Sequence, residues 1–284
     1  MRRASSIEKD SRQTVTVENL TGVFESIAST QVAKVRSKVT LSKEFFELIW
    51  KCYSSIKFDP SSRITNRSGG EDDKKVFVVI SAEAGLSGDI DQRLVNKVMA
   101  DYDEATTDVI VLGTHGATQL RQRNIPFKRY FKVTETDHYI DVMPVIAAVL
   151  PYTTIIVYYE EYVSLGIQEI KTINLITSMK DLSESAGEDT MNANDTIFEP
   201  SLDVIADEME ITMMTLALSQ TIMESSLAQS ASRFNAMALA KKRALMMLFD
   251  YGLEFHRAKR SESDRRLREV MISLKKKRAH ARTQ

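Results

Sequence analysis

The pattern that decides the fold lies in residues 225–255, SSLAQSASRFNAMALAKKRALMMLFDYGLEF. Apolar or small side chains recur there at alternating steps of four and three, which is typical of a helix that pairs with another helix. Lys241 and Gly252 occupy the two remaining positions, and the alanines allow close approach of the second helix. The predicted coiled-coil seam consists of Leu227, Ala231, Phe234, Ala238, Leu245, Leu248 and Phe255.

The residues that break helices are concentrated in the middle of the chain. All five prolines lie between residues 60 and 200, and so do eight of the ten glycines. A proline costs about 3 kcal/mol inside a helix and a glycine about 1 kcal/mol, so both ends can form long helices. One helix over 203–275 would be about 110 Å long. The alternative is two or three shorter helices in a bundle, with breaks at Ser225–Ser226 and Gly252.

The N-terminal end carries a weaker helical stripe. A helix over about 18–57 is predicted, and it would pair with the C-terminal helix as an antiparallel coiled coil. The apolar positions of the stripe are Leu20, Phe24, Ile27, Val32, Val35 and Val39.

The middle of the chain alternates between strand and helix patterns. Strands are predicted at 76–82 and 108–116, and helices at 89–105, 118–123 and 139–150, the last kinked at Pro144. A hairpin is predicted from TIIVYYEEYV at 154–163 and IQEIKTINLI at 167–176. This order indicates a central, Rossmann-like α/β domain with a parallel sheet and the hairpin at one edge. The predicted organisation is an N-terminal helix at 1–58, a linker at 59–75, the α/β domain at 76–197 and a C-terminal helix with a basic tail at 198–284.

Composition excludes several classes of protein. The 38 basic residues balance the 39 acidic ones, so bulk charge gives no reason to expect nucleic-acid or anionic-membrane binding. The single cysteine, Cys52, excludes an internal disulfide and is expected to be a packing thiol. No apolar run is long enough to span a membrane, and the first ten residues are not a secretory signal. A cytoplasmic protein is expected.

No motif in the sequence indicates catalysis. AEAGLSGDID at 82–91 could hold an anion on its amides, but it lacks a complete nucleotide fingerprint, and Asp89 and Asp91 disfavour phosphate. A structural turn built on Gly85 and Gly88 is favoured. His115 is expected to be an ordinary loop histidine. We therefore predict no catalytic residue, cofactor site or metal site.

Two features of the C-terminal end leave alternatives open. Eight methionines lie there, either as core packing or as an outer face that meets several surfaces in turn. Residues 257–284 carry eleven basic side chains against three acidic ones, a local net charge of +8. This tail could be solvated, or it could contact an acidic protein surface or nucleic acid.

Several short sequence motifs, in their order along the chain, resemble those of one protein family. FEPSLDVI at 198–205 resembles a YEPS segment, and GLSGDID at 85–91 resembles GLCGGFN, with Ser87 for Cys and Asp91 for Asn. LTGVFESIA at 20–28 resembles ITKAMKMVS, with the apolar positions kept. These are motifs of the gamma subunit of F-type ATP synthases.

The C-terminal helix carries the rest of the resemblance. In SSLAQSASRFNAMALAKKRA at 225–244, Arg233, Ala236 and Met237 match the family's Ser-Glu, Arg-Met, Ala-Met and Asn-Ala pattern, whereas Gln229 and Lys242 depart from it. FHRAKRSESDRRLREV at 255–270 resembles YNRARQ followed by ITxELxEI. The matching or substituted positions there are Lys259, Arg260, Asp264, Leu267 and Glu269. The basic run after Leu274 goes beyond the usual ending.

The resemblance implies a rotor without catalytic sites of its own. The coiled coil would be a shaft inside a hexamer of alpha and beta subunits, and the α/β domain would sit on the membrane c ring beside the epsilon subunit. Proton or sodium flow would turn it, at the cytoplasmic face of the inner membrane. The implied shaft contacts are Leu20, Thr21, Phe24, Arg257, Lys259, Arg260 and Asp264.

Three other functions remain open from the sequence. They are a gamma-like shaft of a specialised ATPase that does not make ATP, an α/β nucleotide-binding enzyme with helical extensions, and a basic-tailed coiled-coil scaffold for nucleic acid.

Overall fold

A computed structural model describes residues 2–55, 74–133, 141–175 and 202–280. The predicted linker at 59–75 lies outside them except for its last two residues, and so does the 197/198 boundary. The described elements are, in chain order, α1 (Ala4–Ser55), β1 (Lys75–Ile80), α2 (Ile90–Asp101), β2 (Thr107–Leu112), α3 (Thr114–Gln122), β3 (Arg129–Phe131), α4 (Met143–Val149), β4 (Thr154–Tyr162), β5 (Gln168–Asn174) and α5 (Leu202–His280).

The five strands form one mixed sheet in the order β3-β2-β1-β4-β5. β1 pairs in parallel with β2 and β4, β2 pairs in parallel with β3, and β5 is antiparallel to β4 at the edge. The predicted parallel sheet with an edge hairpin is therefore confirmed. β3 was not predicted from the sequence, because a three-residue strand with two exposed residues carries no apolar run.

Both faces of the sheet are covered, which explains why β1 is a continuous apolar run. Successive side chains of a strand point to opposite faces. Val76, Val78 and Ile80 pack in one core with α4 and with residues 213–222 of α5. Phe77 and Val79 pack in a second core with α2 and α3. The first part of α5 is thus a layer of the α/β domain.

The lengths of the two helices after β1 and β2 differ from those expected. α2 ends at Asp101, four residues early, because the Asp103 carboxylate accepts hydrogen bonds from the Ala105 amide at 3.1 Å and the Thr106 hydroxyl at 3.0 Å. These bonds build a turn in place of another helical turn. α3 begins at Thr114 rather than at residue 118, directly after Gly113.

The helix before β4 is also shorter than expected and starts at its proline. α4 runs from Met143 to Val149, with Pro144 in its first turn. Proline fits the first turn because the amide that it lacks has no helical partner there. The expectation of a helix over 139–150 kinked at Pro144 is therefore wrong for the described residues 141–150.

The two terminal helices are long and unbroken. α1 begins at Ala4, well before the expected start near residue 18. α5 continues through Ser225–Ser226 and Gly252, so the alternative of shorter bundled helices is wrong. A single glycine costs a long helix only about 1 kcal/mol. Ser225 is buried and hydrogen-bonded rather than breaking the helix.

The chain divides into two compact units, Ile27–Ala236 and the pair Met1–Ser26 with Met237–Gln284. Within the pair, α1 and α5 run antiparallel: Ala4 and Ile7 form a small core with Ala258, and Glu25 pairs with Lys241 at 3.0 Å. The order of these contacts along the two helices is opposite, which confirms the predicted antiparallel coiled coil.

Gly113 allows the closest approach between β2 and the segment after β1. Its φ is +95°, and an added Cβ would lie 2.8 Å from the carbonyl carbon of Ser81 and closer still to its oxygen. We expect Gly113→Ala to lower the free energy of unfolding by about 3 kcal/mol, from backbone strain and steric overlap together. Urea denaturation of the full chain measures the change.

Gly166→Ala is the matched control, because nothing lies within 4 Å of its added Cβ. Equal stability losses in the two variants would contradict the role given to Gly113.

Candidate functional site

The carboxyl ends of β1 and β4 mark the position where an α/β sheet of this topology usually binds a ligand. From β1 the chain crosses to β2 on one side, and it later returns to β4 on the other side of β1. The crevice between the two connections is the topological switch point, at which open α/β sheets hold their ligands. The turn at 82–91 leads out of β1 at this edge, and Glu160 lies two residues beyond Tyr158, the last β4 partner of β1.

In this chain, α5 fills that position. Ser225 donates a hydrogen bond to Oε2 of Glu160 at 3.3 Å, and Gln229 Nε2 donates to the Ser225 hydroxyl at 3.0 Å. One helical turn further on, the Ser232 hydroxyl donates to the Ser87 carbonyl at 2.6 Å. We call this set the anchor site; it comprises Ser87, Asp91, Glu160, Ser225, Gln229 and Ser232.

Asp91 organises the turn beneath α5. Its fully buried carboxylate accepts the Ala82 amide at 2.8 Å on Oδ1 and the Ser87 hydroxyl at 2.8 Å on Oδ2. Nδ1 of His115 lies 2.9 Å from the same Oδ2. His115 is the second residue of α3 rather than a loop residue, and its ring contacts the Asp91 carboxylate. The aspartate therefore joins α2, α3 and the turn.

The turn at 82–91 offers carbonyl oxygens to a cation. Arg233 of α5 donates to the Gly85 carbonyl at 3.3 Å and to the Ala84 carbonyl at 3.1 Å. Gly88 has a φ of +73°, and an added Cβ would touch the Ser232 hydroxyl at 3.6 Å. Gly85 has no neighbour within 4 Å of such a Cβ. The turn therefore serves to seat α5, and a phosphate would have to displace Arg233 and face Asp91.

Glu160 is the unusual group of the anchor site. It is completely buried, and its Oε1 has no hydrogen-bond partner. Burial raises the pKa of Glu160 well above its ordinary value, and the charge of Asp91 raises it further, while hydrogen bonds from Gln229 and Ser225 oppose the shift. A carboxyl group in this setting favours its neutral form.

The arrangement does not suit catalysis. Within the described ranges, no group of histidine, cysteine, aspartate and glutamate side chains could hold a metal ion. The anchor site is closed by α5, and Glu160 has no open space on which a substrate could lie. The anchor site is suited to attachment, because its hydrogen-bond donors and acceptors, which come from four elements, fix α5 on the edge of the sheet.

The predicted seam residues differ in burial. Leu227 and Ala231 are buried, and Phe234, Ala238, Leu248 and Phe255 are half-buried. Leu245 is 51% exposed, and Ala244 takes the buried position on that turn. A helix of 3.6 residues per turn drifts about 20° per heptad from a strict seven-residue repeat, so the buried line moves to the neighbouring residue.

The predicted shaft contacts are mostly exposed. Leu20, Phe24, Arg257, Lys259, Arg260 and Asp264 are accessible in the chain. Thr21 is buried, with its hydroxyl donating to the Glu18 carbonyl at 2.8 Å. Lys259 lies with its Nζ 5.9 Å from the centre of the Phe255 ring. The methionines divide between the two alternatives: Met213, Met214 and Met237 are buried, whereas Met246, Met247 and Met271 are exposed.

Neither Glu160 nor Ser225 was predicted as a site residue. Glu160 stands in YYEEY, where two adjacent glutamates suggest a solvent-facing strand end. Ser225 was expected to mark a possible helix break. Both residues are polar within otherwise apolar patterns, and this is the one signal that could have identified them.

The fold and the anchor site define a class of protein: an α/β domain whose ligand crevice is closed by its own long C-terminal helix, together with an antiparallel helix pair. A family model described as ATP synthase matches residues 4–274. The chain therefore belongs to the ATP synthase family, and its relatives place it among the gamma subunits.

Individual comparisons cover nearly the whole chain. The ATP synthase gamma chain of Malacoplasma penetrans is 20% identical over 97% of this chain and 99% of the relative. That of Chlorobium limicola is 23% identical over 89% and 91%. A chain of the Euglena gracilis mitochondrial ATP synthase structure that contains OSCP, F1 and the c-ring has a TM-score of 0.65 at 13% identity, over 95% of this chain and 94% of that one.

The Ser232 hydroxyl gives a direct test of the anchor site. We expect Ser232→Ala to lower the free energy of unfolding by about 1–3 kcal/mol, because the Ser87 carbonyl loses its buried donor. Chemical denaturation monitored by circular dichroism measures this.

Ser226→Ala is the control in the same helix, since Ser226 is half-buried and outside the anchor site. If both serine variants behave alike, the Ser232–Ser87 bond does not hold α5.

Proposed function

We propose that this chain is the central-stalk rotor subunit of an F-type ATP synthase and transmits torque between the membrane c ring and the catalytic hexamer of alpha and beta subunits. The continuity of α5 carries this proposal. One unbroken helix bears the anchor site in its first half and pairs with α1 in its second half. Torque applied to the α/β domain therefore passes into the shaft through a covalent helix.

The chain is a non-catalytic subunit by its family, and ATP chemistry belongs to the beta subunits. Its alternative as an α/β nucleotide-binding enzyme loses support because the ligand crevice of the sheet is closed by α5. The family match favours the synthase over a specialised ATPase as well. The epsilon subunit and the c ring are the proposed partners of the α/β domain.

The exposed side chains of the helix pair suit a sliding contact. Met246, Met247 and Met271 present flexible, polarisable side chains that adapt to changing neighbours. Basic residues around Arg257 would meet acidic loops of successive beta subunits. Exposed ion pairs contribute only about 0–1 kcal/mol each, so no single pair would trap the rotor.

The proposed location is the cytoplasmic face of the cell inner membrane, as part of the peripheral F1 portion. None of the described helices is long and apolar enough to cross a membrane. The proposed attachment is through the c ring, whose proton or sodium flow drives the rotation.

The identity of the complex is tested by affinity purification of the tagged chain from detergent-solubilised membranes. We expect a large assembly that hydrolyses ATP and contains a c ring, because the rotor is held between the two. Recovery of the chain as a free monomer would count against the rotor function.

The electrostatic part of the shaft contact has its own test. We expect the triple variant Arg257→Ala, Lys259→Ala and Arg260→Ala to lower ATP-driven turnover of the assembled complex by about three- to tenfold, since about 1 kcal/mol of contact energy is removed. Single-molecule rotation or steady-state ATPase assays measure this loss.

The control neutralises Arg121, Arg129 and Lys132, three exposed basic residues of the α/β domain. Unchanged turnover in the shaft triple variant would remove the electrostatic role.

A further inference from the structure

The anchor site contains a carboxyl group that its surroundings cannot support as an anion. Oε2 of Glu160 receives the Ser225 hydroxyl at 3.3 Å, but its Oε1 is buried without a donor. Burial disfavours the ionised form of a carboxyl group that lacks a donor on one oxygen. A protonated carboxyl group instead has a hydrogen to give, and needs an acceptor nearby.

Asp91 is the candidate acceptor. Its carboxylate is fully buried in the same anchor site, and its charge and a side-chain hydrogen bond with it raise the pKa of Glu160. The Ala82 amide, the Ser87 hydroxyl and the ring of His115 already converge on Asp91, an arrangement that suits an ionised acceptor. A carboxylic acid facing a carboxylate forms a short, strong hydrogen bond.

We propose that Glu160 is a protonated positioning residue whose O–H is shared with the Asp91 carboxylate, so that a single buried proton holds α5 on the α/β domain through Ser225 and Gln229. The relevance of this proton to torque rests on the proposed rotor function. The proton itself does not.

The other charged groups around the anchor site are occupied elsewhere. Glu161 of β4 pairs with Lys171 of β5, and Arg233 of α5 binds the carbonyls of the turn. Glu224 of α5 acts on Tyr159, whose pKa is raised by burial first and by this charge second. His115 of α3 faces Asp91.

The proton makes the attachment sensitive to pH in one direction. The pKa of Glu160 is raised in the folded chain, so the folded state holds a proton that the unfolded chain releases. The contribution of this proton to the free energy of unfolding is therefore fully present below the ordinary glutamate pKa. It is lost as the pH rises towards the pKa of Glu160 in the folded chain. Within that window, the unfolding equilibrium constant should rise by up to about tenfold per pH unit.

The experiment compares the full chain with Glu160→Gln, whose amide replaces the neutral acid and can donate to Asp91. Urea unfolding is measured from about pH 5 to about pH 9, together with the infrared band of protonated carboxyl groups. We expect the wild type to lose stability relative to the variant as pH rises, and the band to fall by one carboxyl group in Glu160→Gln. Parallel pH profiles, an unchanged band, or a Glu160→Gln chain that fails to fold would each overturn the proposal.

Asp91→Asn is the second variant. Because it removes the charge that faces Glu160 and leaves the burial, we expect the pH dependence to shift towards lower pKa without disappearing. An unchanged profile would show that Asp91 is not the proton's acceptor.

An experiment on the assembled complex distinguishes the proposed proton from the proposed rotor function. For each protein we take the rate of ATP-driven ion pumping at about pH 9 and divide it by the rate at about pH 7. We expect this ratio to be about threefold or more lower in the wild type than in Glu160→Gln. If the stability of the isolated chain depends on pH but ion pumping by the complex does not, the role of the proton in torque is refuted. The proposal that Glu160 and Asp91 share a proton then still stands. A complex that does not form at all would instead refute the proposed function.

Discussion

The structure depends on the docking of α5 against the carboxyl edge of the sheet. Apolar contacts from Met213, Leu218 and Ile222 cover one face of the sheet. Beyond them, the anchor site fixes the helix with hydrogen bonds in place of further apolar packing. Apolar contacts allow a helix to slide or rotate, whereas buried donors and acceptors must keep their partners or lose several kcal/mol. The polar set therefore fixes the register and orientation of α5.

This docking also accounts for what the α/β domain does not do. A sheet with this topology offers a ligand crevice at its switch point. Here, the crevice is filled by residues of the same chain, and the turn after β1 gives its carbonyls to Arg233. The domain thus keeps the architecture of a nucleotide-binding fold but uses the crevice to hold a helix. Fold alone would have suggested the wrong function, and the contents of the site correct it.

A rotor shaft can be built from two closely packed helices. The helix pair has small residues in its core, where Ala4 and Ala258 belong to one buried cluster with Ile7. Close approach of two helices stiffens the pair, and α5 carries the attachment and the pairing without a break. The surface of the pair is left to exposed methionine, leucine and basic residues, whose individual contacts are weak. Strong interactions lie inside the subunit and weak ones face the partners.

The sequence by itself determined the two long terminal helices, the buried strands and the edge hairpin. These follow from apolar periodicity and from the placement of proline and glycine, which are local properties of the chain. Tertiary structure decided that β3 exists, that Ala244 rather than Leu245 is buried, and that Glu160 meets Ser225 in the anchor site that also holds Asp91. These depend on contacts between residues far apart in the chain. Periodicity shows which face of an element is apolar, but not which polar side chains from other elements will be buried against it.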